Sequence, residues 1–215
     1  MRVLFIVGLS GILGLVLLFS LRSKKFLELM QKVSPVIVAP EVQTVSDGSR
    51  TNIMVRLDSS PVKVSSGSAN HRDAYIQGDF IVWVEAPQDR SEKYVVRYHI
   101  PSAVVVRLTE TGVSQNPKVS TEGHVVWQQW QNETWHIFYF DGHEVVQITS
   151  GKQPAINPDV YNSKVVFAQK STTGEWHVYL HDVATQEREM VPNSEGEKYP
   201  IFSRGDVVFA EQRKY

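Results

Sequence analysis

One pattern returns four times along this 215-residue chain. Its clearest copy runs from Asn116-Pro117-Lys118-Val119, through Thr121-Glu122-Gly123, to Val125-Val126-Trp127. Asn157-Pro158-Asp159-Val160 with Val165-Val166-Phe167 repeats it, as does Tyr199-Pro200-Ile201-Phe202 with Val207-Val208-Phe209. A looser copy is Asp73-Ala74-Tyr75-Ile76 with Ile81-Val82-Trp83. The closing aromatics fall at 83, 127, 167 and 209, so the steps are 44, 40 and 42 residues. Each copy reads as two strands, a and b, joined by a short polar turn.

A second pair of strands follows each copy. Trp135-His136-Ile137-Phe138-Tyr139-Phe140-Asp141 matches Trp176-His177-Val178-Tyr179-Leu180-His181-Asp182, with Tyr94 to Ile100 as a looser counterpart. Aromatic and β-branched residues favour strands. Asp141-Gly142 is a hairpin signal. A last strand, d, covers Val104 to Leu108, Val145 to Thr149 or Glu187 to Val191. Four short antiparallel strands at a period of about 40–45 residues predict blades of an all-β propeller.

The two ends complement each other. Asn52 to Asp58 and Pro61 to Ser65 read as strands c and d without a and b, while residues 199–212 supply a and b without c and d. Pairing these halves would close a four-bladed ring intramolecularly and leave no free sheet edge. The alternative is a truncated propeller that completes its ring by oligomerisation. The sequence reading favours a monomer.

The Asn-Pro or Tyr-Pro of strand a, the Gly-Asp or Asn-Ser turn, the Val-Val-Trp or Val-Val-Phe of strand b, the aromatic strand c ending in Asp, and Gln147-Ile148-Thr149 together resemble the TolB-type, WD40-like β-propeller repeats of exported proteins. The resemblance covers about residues 51–215. It implies a scaffold, adaptor or sensor with a protein partner, on the extracytoplasmic side of a membrane. The first copy lacks the Asn-Pro pair and the Asp ending strand c, and four blades is below the family's usual number.

Ahead of the repeats, Val3 to Leu21 is an uncharged apolar run of nineteen residues. At about 1.5 Å per residue it would span roughly 28 Å, near the thickness of a bilayer's hydrocarbon core. Residues 1–25 therefore read as an N-terminal transmembrane helix or, as the rival, a signal segment. Phe19-Ser20-Leu21-Arg22 lacks the small-x-small pattern of a cleavage site. Arg22, Lys24 and Lys25 after the run favour a cytoplasmic C-terminal side by charge, against the exported side that the resemblance implies. Residues 26–50, with Pro35, Pro40 and Ser46-Asp47-Gly48-Ser49, read as a tether, and 51–215 as the propeller.

Composition narrows the function classes. Residues 1–35 carry a net charge of +4, leaving −5 for the rest. That balance argues against nucleic acid, whose phosphates need clustered Lys and Arg. The chain has no cysteine, so disulfides, thiolate metal sites and thiol nucleophiles are excluded. There is no Gly-x-Ser-x-Gly elbow, P-loop, His-Glu-x-x-His or EF-hand run. No cofactor, metal or catalytic residue is expected. Asp58, Asp141 and Asp182 recur at turns and read as acceptors for backbone N–H groups, and His136 and His177 read as blade packing.

The expected function is a membrane-anchored, non-enzymatic propeller that binds a protein, a peptide or a cell-envelope glycan. The alternative is a glycan-acting hydrolase of propeller fold, for which Glu85, Glu133 and Glu175 near the b–c connections are the acidic candidates. Binding is expected on the face built by the longer b–c and d–a connections, because recognition sits on loops held by a rigid scaffold. The candidates there are Trp130, Gln131, Asn132, Gln115, Asn116, Gln153 and Asn157, with Trp130 placed in a loop beside amides.

Overall fold

The structure is a computed structural model and describes residues 40–46, 50–56, 61–65, 67–88 and 91–209. The proposed membrane helix and most of the tether lie outside those residues. Among the described residues there are strands and turns and no helix.

Three sheets have four antiparallel strands each. The first is β4 (Asn70–Gln77), β5 (Phe80–Ala86), β6 (Tyr94–His99) and β7 (Val104–Arg107). The second is β8 (Val113–Val119), β9 (Val125–Gln131), β10 (Thr134–Phe140) and β11 (Val145–Gln147). The third is β12 (Ala155–Tyr161), β13 (Lys164–Lys170), β14 (Trp176–Asp182) and β15 (Arg188–Met190). Strands a to d are therefore neighbours in chain order within every unit, as the repeat predicts.

The core lies between sheets. Strand b alternates its two buried faces, with a period of two. Ile81 and Trp83 pack backwards on Ile53 and Val55, while Val82 packs forwards with Val119, Val125 and Trp127. Val125 and Trp127 face the first sheet, and Val126 faces Ala155, Val165 and Phe167 of the third. A strand buried on both faces must be apolar throughout, which is why each copy carries a Val-Val-aromatic run. The closing aromatics Trp83, Trp127 and Phe167 all face the preceding sheet, and Trp127 and Phe167 are fully buried.

Two recurring devices shape the units. The first is a β-bulge in strand a, between Arg72 and Tyr75, Gln115 and Lys118, and Ile156 and Asp159. Asp73, Asn116 and Asn157 take the extra position with φ of 54°, 50° and 53°. Asn and Asp tolerate this left-handed region better than most side chains, so the Asn of each Asn-Pro pair marks a bulge inside the strand rather than its start. The second device is a buried hydroxyl after strand d. Ile53 N donates to Ser65 Oγ, Val95 N to Thr109 Oγ1, Ile137 N to Thr149 Oγ1, and Val178 N to Ser194 Oγ, at 2.9, 2.9, 2.9 and 3.1 Å.

The chain ends depart from expectation. Thr51–Arg56 (β2) and Pro61–Lys63 (β3) are strands, as read, but Glu41–Ser46 (β1) is a strand too, inside the stretch assigned to the tether. It pairs with β2 from Glu41↔Arg56 to Ser46↔Thr51 and so occupies the edge expected to receive the C-terminal strands. Pro200–Ser203 (β16) and Asp206–Phe209 (β17) pair with each other as a separate two-stranded sheet. Among the described residues no strand pairing joins them to β1, β2 or β3, so the pairing of half-units does not form as predicted. The physical reason is the extra strand, which saturates β2 on both sides.

The N-terminal sheet attaches to the first four-stranded sheet through His71, whose backbone N donates to Thr51 Oγ1 at 2.8 Å and whose Nδ1 lies 2.7 Å from the Thr51 carbonyl oxygen. The C-terminal pair attaches through Asp159. Its Oδ2 accepts from Phe202 N at 2.8 Å and its Oδ1 from Val160 N at 3.0 Å. Burial pushes the Asp159 carboxyl up, opposed by these two backbone donors and by Lys118.

Thr149→Val keeps the shape of the side chain but leaves the Ile137 N–H buried without its acceptor. It is expected to lower stability by about 1–3 kcal/mol, read as a drop in denaturant midpoint. An unchanged midpoint would show that the hydroxyl is dispensable. The raised Asp159 carboxyl gives a pH signature. A carboxyl raised on folding contributes stability that is complete below its ordinary value of 3.8 and is lost as pH rises through its folded value. The melting temperature of the wild type minus that of Asp159→Asn should therefore be larger at about pH 4 than at about pH 7. The reverse trend would mean that hydrogen bonding, not burial, dominates this carboxylate.

Candidate binding site

The hairpin of β9 and β10 builds one wall of the site. Gln129, Trp130 and Gln131 are strand residues, not loop residues. The connection is only Asn132-Glu133, both left-handed at φ 51° and 64°. Two successive left-handed residues match the right-handed twist of the flanking strands, which lets so short a turn close the hairpin. Trp130 and Trp135 are cross-strand partners, their rings 5.5 Å apart and edge-to-face at 73°. Trp130 is 45 % exposed, while Trp127, three residues earlier, is buried.

The floor is a chain of side-chain amides. Gln128 is 5 % exposed. Its Oε1 accepts from Asn157 N at 2.8 Å and from Asn116 Nδ2 at 3.2 Å. Asn116 Nδ2 also donates to Asn157 Oδ1 at 2.9 Å, and Asn157 Nδ2 donates to the Lys198 carbonyl at 2.9 Å. The two bulge asparagines thus connect the second sheet to the third and the third to the chain entering β16. The left-handed backbone at each bulge is what brings these side chains into line. Asp73, at the same position of the first sheet, carries no amide donor with which to continue the series.

Above this floor is a cleft of about 820 Å³. Gln115, Asn116, Trp130 and Asn157 of the expected set line it, joined by Trp135, Trp176 and Tyr199. Gln131, Asn132 and Gln153 do not line it. Gln131 and Asn132 point the hairpin tip to solvent, and the Gln153 carbonyl accepts from Gln169 Nε2 at 3.5 Å. Lys152 and Glu133 also border the cleft, and the Lys198 ammonium lies 5.7 Å from the Trp176 ring centre.

A second cavity of about 410 Å³ follows the inner strands a. The position two residues after each bulge holds Tyr75, Lys118, Asp159 and, in the last unit, Ile201. The Lys118 ammonium sits 4.1 Å from the Tyr75 ring centre. Burial pushes its pKa down, with Asp159 and Asp73 opposing, and burial followed by the Asp159 charge pushes the Tyr75 hydroxyl up. The sequence reading passed over this set. Its signal is the change of side-chain type at one register position of an otherwise regular repeat.

The remaining polar candidates have structural surroundings. Glu85 accepts from Arg107 at 2.6 Å, Glu175 is exposed with His177 at 3.9 Å, and Glu133 is at the hairpin tip. His136 is fully buried, and burial holds its pKa below the usual imidazole value. Asp141 Oδ1 accepts from His143 N at 2.7 Å and Glu144 N at 2.8 Å, and Asp182 Oδ1 accepts from Ala184 N at 2.9 Å. These backbone donors hold both carboxyls below the usual range. Asp58 lies outside the described residues. No group of three or more metal-ligating side chains occurs among the described residues.

No protein-family model matches the sequence, and no curated protein matches it either. Solved structures do. A putative TolB from Agrobacterium tumefaciens superposes with a TM-score of 0.56 at 16% identity, covering 79% of this chain and 68% of that one. TolB from Acinetobacter baumannii gives 0.57 at 14% identity, over 80% of this chain and 46% of that one. The β-propeller domain of the Trilobed protease from Pyrococcus furiosus, described as having an open velcro topology, gives 0.55 at 14% identity, over 72% and 51%. The chain thus spans about half the length of the second and third of these structures. Identities this low carry the fold, and the fold of the described residues is that of a TolB-type β-propeller.

Proposed function

We propose that this chain is a membrane-tethered, non-enzymatic β-propeller whose b–c and d–a face binds a protein or peptide partner on the extracytoplasmic side. The observation that carries the reading is the cleft between the second and third blades. Its walls are exposed or half-exposed aromatic rings, which supply large contact area at low entropic cost, and its floor is a fixed amide network. The opposite face is made of two- to five-residue turns. The absence of a catalytic part is supported by Glu85, whose carboxylate is tied to Arg107, and by the exposed position of Glu175. The tether is supported by the apolar run from Val3 to Leu21.

Site-specific photo-crosslinking in intact cells tests the binding face. A crosslinking residue at Trp130 or Lys152 is expected to give a discrete adduct, and one at Glu122 or Arg204, in the short turns of the other face, is expected to give none. Adducts confined to 122 and 204 would move the partner to the wrong face for this proposal. Fractionation tests the tether. The full-length chain should pellet with membranes and resist extraction by salt and carbonate, and recovery in the soluble fraction with an N-terminus near residue 22 would remove the anchor.

A further inference from the structure

The cleft presents several hydrogen-bond donors. Gln128 is held by the two donors on its Oε1, so its Nε2 amino group is directed away from them, and it has no acceptor among the described residues. The indole N–H groups of Trp130, Trp135 and Trp176 likewise have no acceptor among the described residues. Trp127, by contrast, donates to Gln129 Oε1 at 3.2 Å. None of these four groups is a sealed, unpaired atom of the interior. Those atoms are His71 Nε2, Arg72 Nε, Trp83 Nε1, His136 Nδ1, His177 Nδ1 and His181 Nδ1. Gln128 nevertheless belongs to a residue 95 % buried, and with Lys152 it lines the cleft. The site therefore offers these four donors and the Lys152 ammonium beside three indole faces. Glu133 is the one carboxylate among the residues that line it.

A ligand for such a site should bring several acceptors and flat apolar faces. A polyproline II segment has that chemistry. Its carbonyls point outward with no internal partners, and its prolines carry no N–H. Its ring faces pack on aromatic side chains, and its conformation is already restricted before binding. The corner between Trp130 and Trp135, whose ring planes cross at 73°, is a notch in which one proline ring meets two aromatic surfaces.

Resting on the reading of this cleft as the binding site, we infer that it recognises a proline-rich peptide segment in polyproline II conformation, with the Gln128 amino group and the indole N–H groups donating to its carbonyls.

Calorimetric titration of the full-length protein in nanodiscs tests the inference, using a decaproline peptide, a glycine-serine peptide of equal length and a chitin tetrasaccharide. Saturable binding of decaproline is expected, at least about tenfold tighter than of either control. Gln128→Glu keeps the acceptor for Asn157 N and Asn116 Nδ2 but removes the donor. Trp130→Ala removes an exposed ring. Each is expected to weaken decaproline binding by about tenfold, while Trp130→Ala still unfolds cooperatively, within a few degrees of the wild type. If Gln128→Glu fails to fold, Trp130→Ala alone decides. No saturable decaproline binding, equal binding of the glycine-serine peptide, or an unchanged affinity in Trp130→Ala would overturn the inference. Preferential tetrasaccharide binding that depends on Trp130 would overturn it too, while leaving the cleft as the binding site. A partner crosslinked only through the opposite face would instead remove the reading beneath it.

Discussion

A buried hydroxyl after the outermost strand fastens each of the four units that have one. Ser65, Thr109, Thr149 and Ser194 each accept from a strand-c amide, and each is less than a tenth exposed. The neighbouring residue completes the link through its own backbone, as Leu108 N does to Val95 O and Ile148 N to Ile137 O, both at 2.8 Å. The bond lies where the chain leaves one sheet and turns inwards to begin the next. An outer strand of three or four residues has few ladder bonds of its own, and a buried amide without an acceptor is costly. Satisfying that amide fixes the exit direction of the chain, and with it the position of the following strand a, its bulge and the asparagine that the bulge presents.

Connections between sheets are of a different kind. Within a sheet the backbone does the holding, whereas between sheets most contacts involve side chains, the backbone bridge of Lys93 to Val113 being an exception. Val82 meets Trp127, Val126 meets Phe167, and Gly123 comes so close to Phe80 that a Cβ there would lie 2.6 Å from the ring. Arg97 is stacked between Phe80 and Phe140 and donates to the Gly123 carbonyl at 2.7 Å. The amide chain through Gln128, Asn116 and Asn157 belongs to the same class. The candidate site is therefore assembled from rigid strands on both sides of an inter-sheet seam, and its geometry depends on how two neighbours dock.

Much of the fold is legible in the sequence because its strongest signal has one physical cause. Strand b is buried on both faces, so Val125-Val126-Trp127 and its copies stand out as short apolar runs. Glu41–Ser46 escaped notice for the converse reason: five of its six residues are exposed, so no apolar run marks it. That omission is what made β2 look free to receive the C-terminal strands. In the site, Trp130 reads as a loop residue, since Gln128-Gln129-Trp130-Gln131-Asn132-Glu133 is polar and holds no glycine to mark a tight turn. The left-handed pair Asn132-Glu133 that keeps it on a strand is hidden at Glu133, a residue type with no preference for that conformation. The relay through Gln128 joins positions 29 and 41 residues apart, and no local pattern encodes such contacts.

The outermost strands β3, β11 and β15 are three residues long and β7 is four. They carry some of the most exposed apolar side chains of the protein, among them Val62, Val104, Val105, Val145 and Met190. A long edge of that composition would be a template for uncontrolled addition of foreign strands. An edge of three residues can offer an incoming chain only one or two backbone bonds, too few to offset the entropy of ordering it. Brevity is thus a solubility device at this rim: β3, β7, β11 and β15 can stay apolar where the blades need it and still give an incoming chain too little edge to pair with.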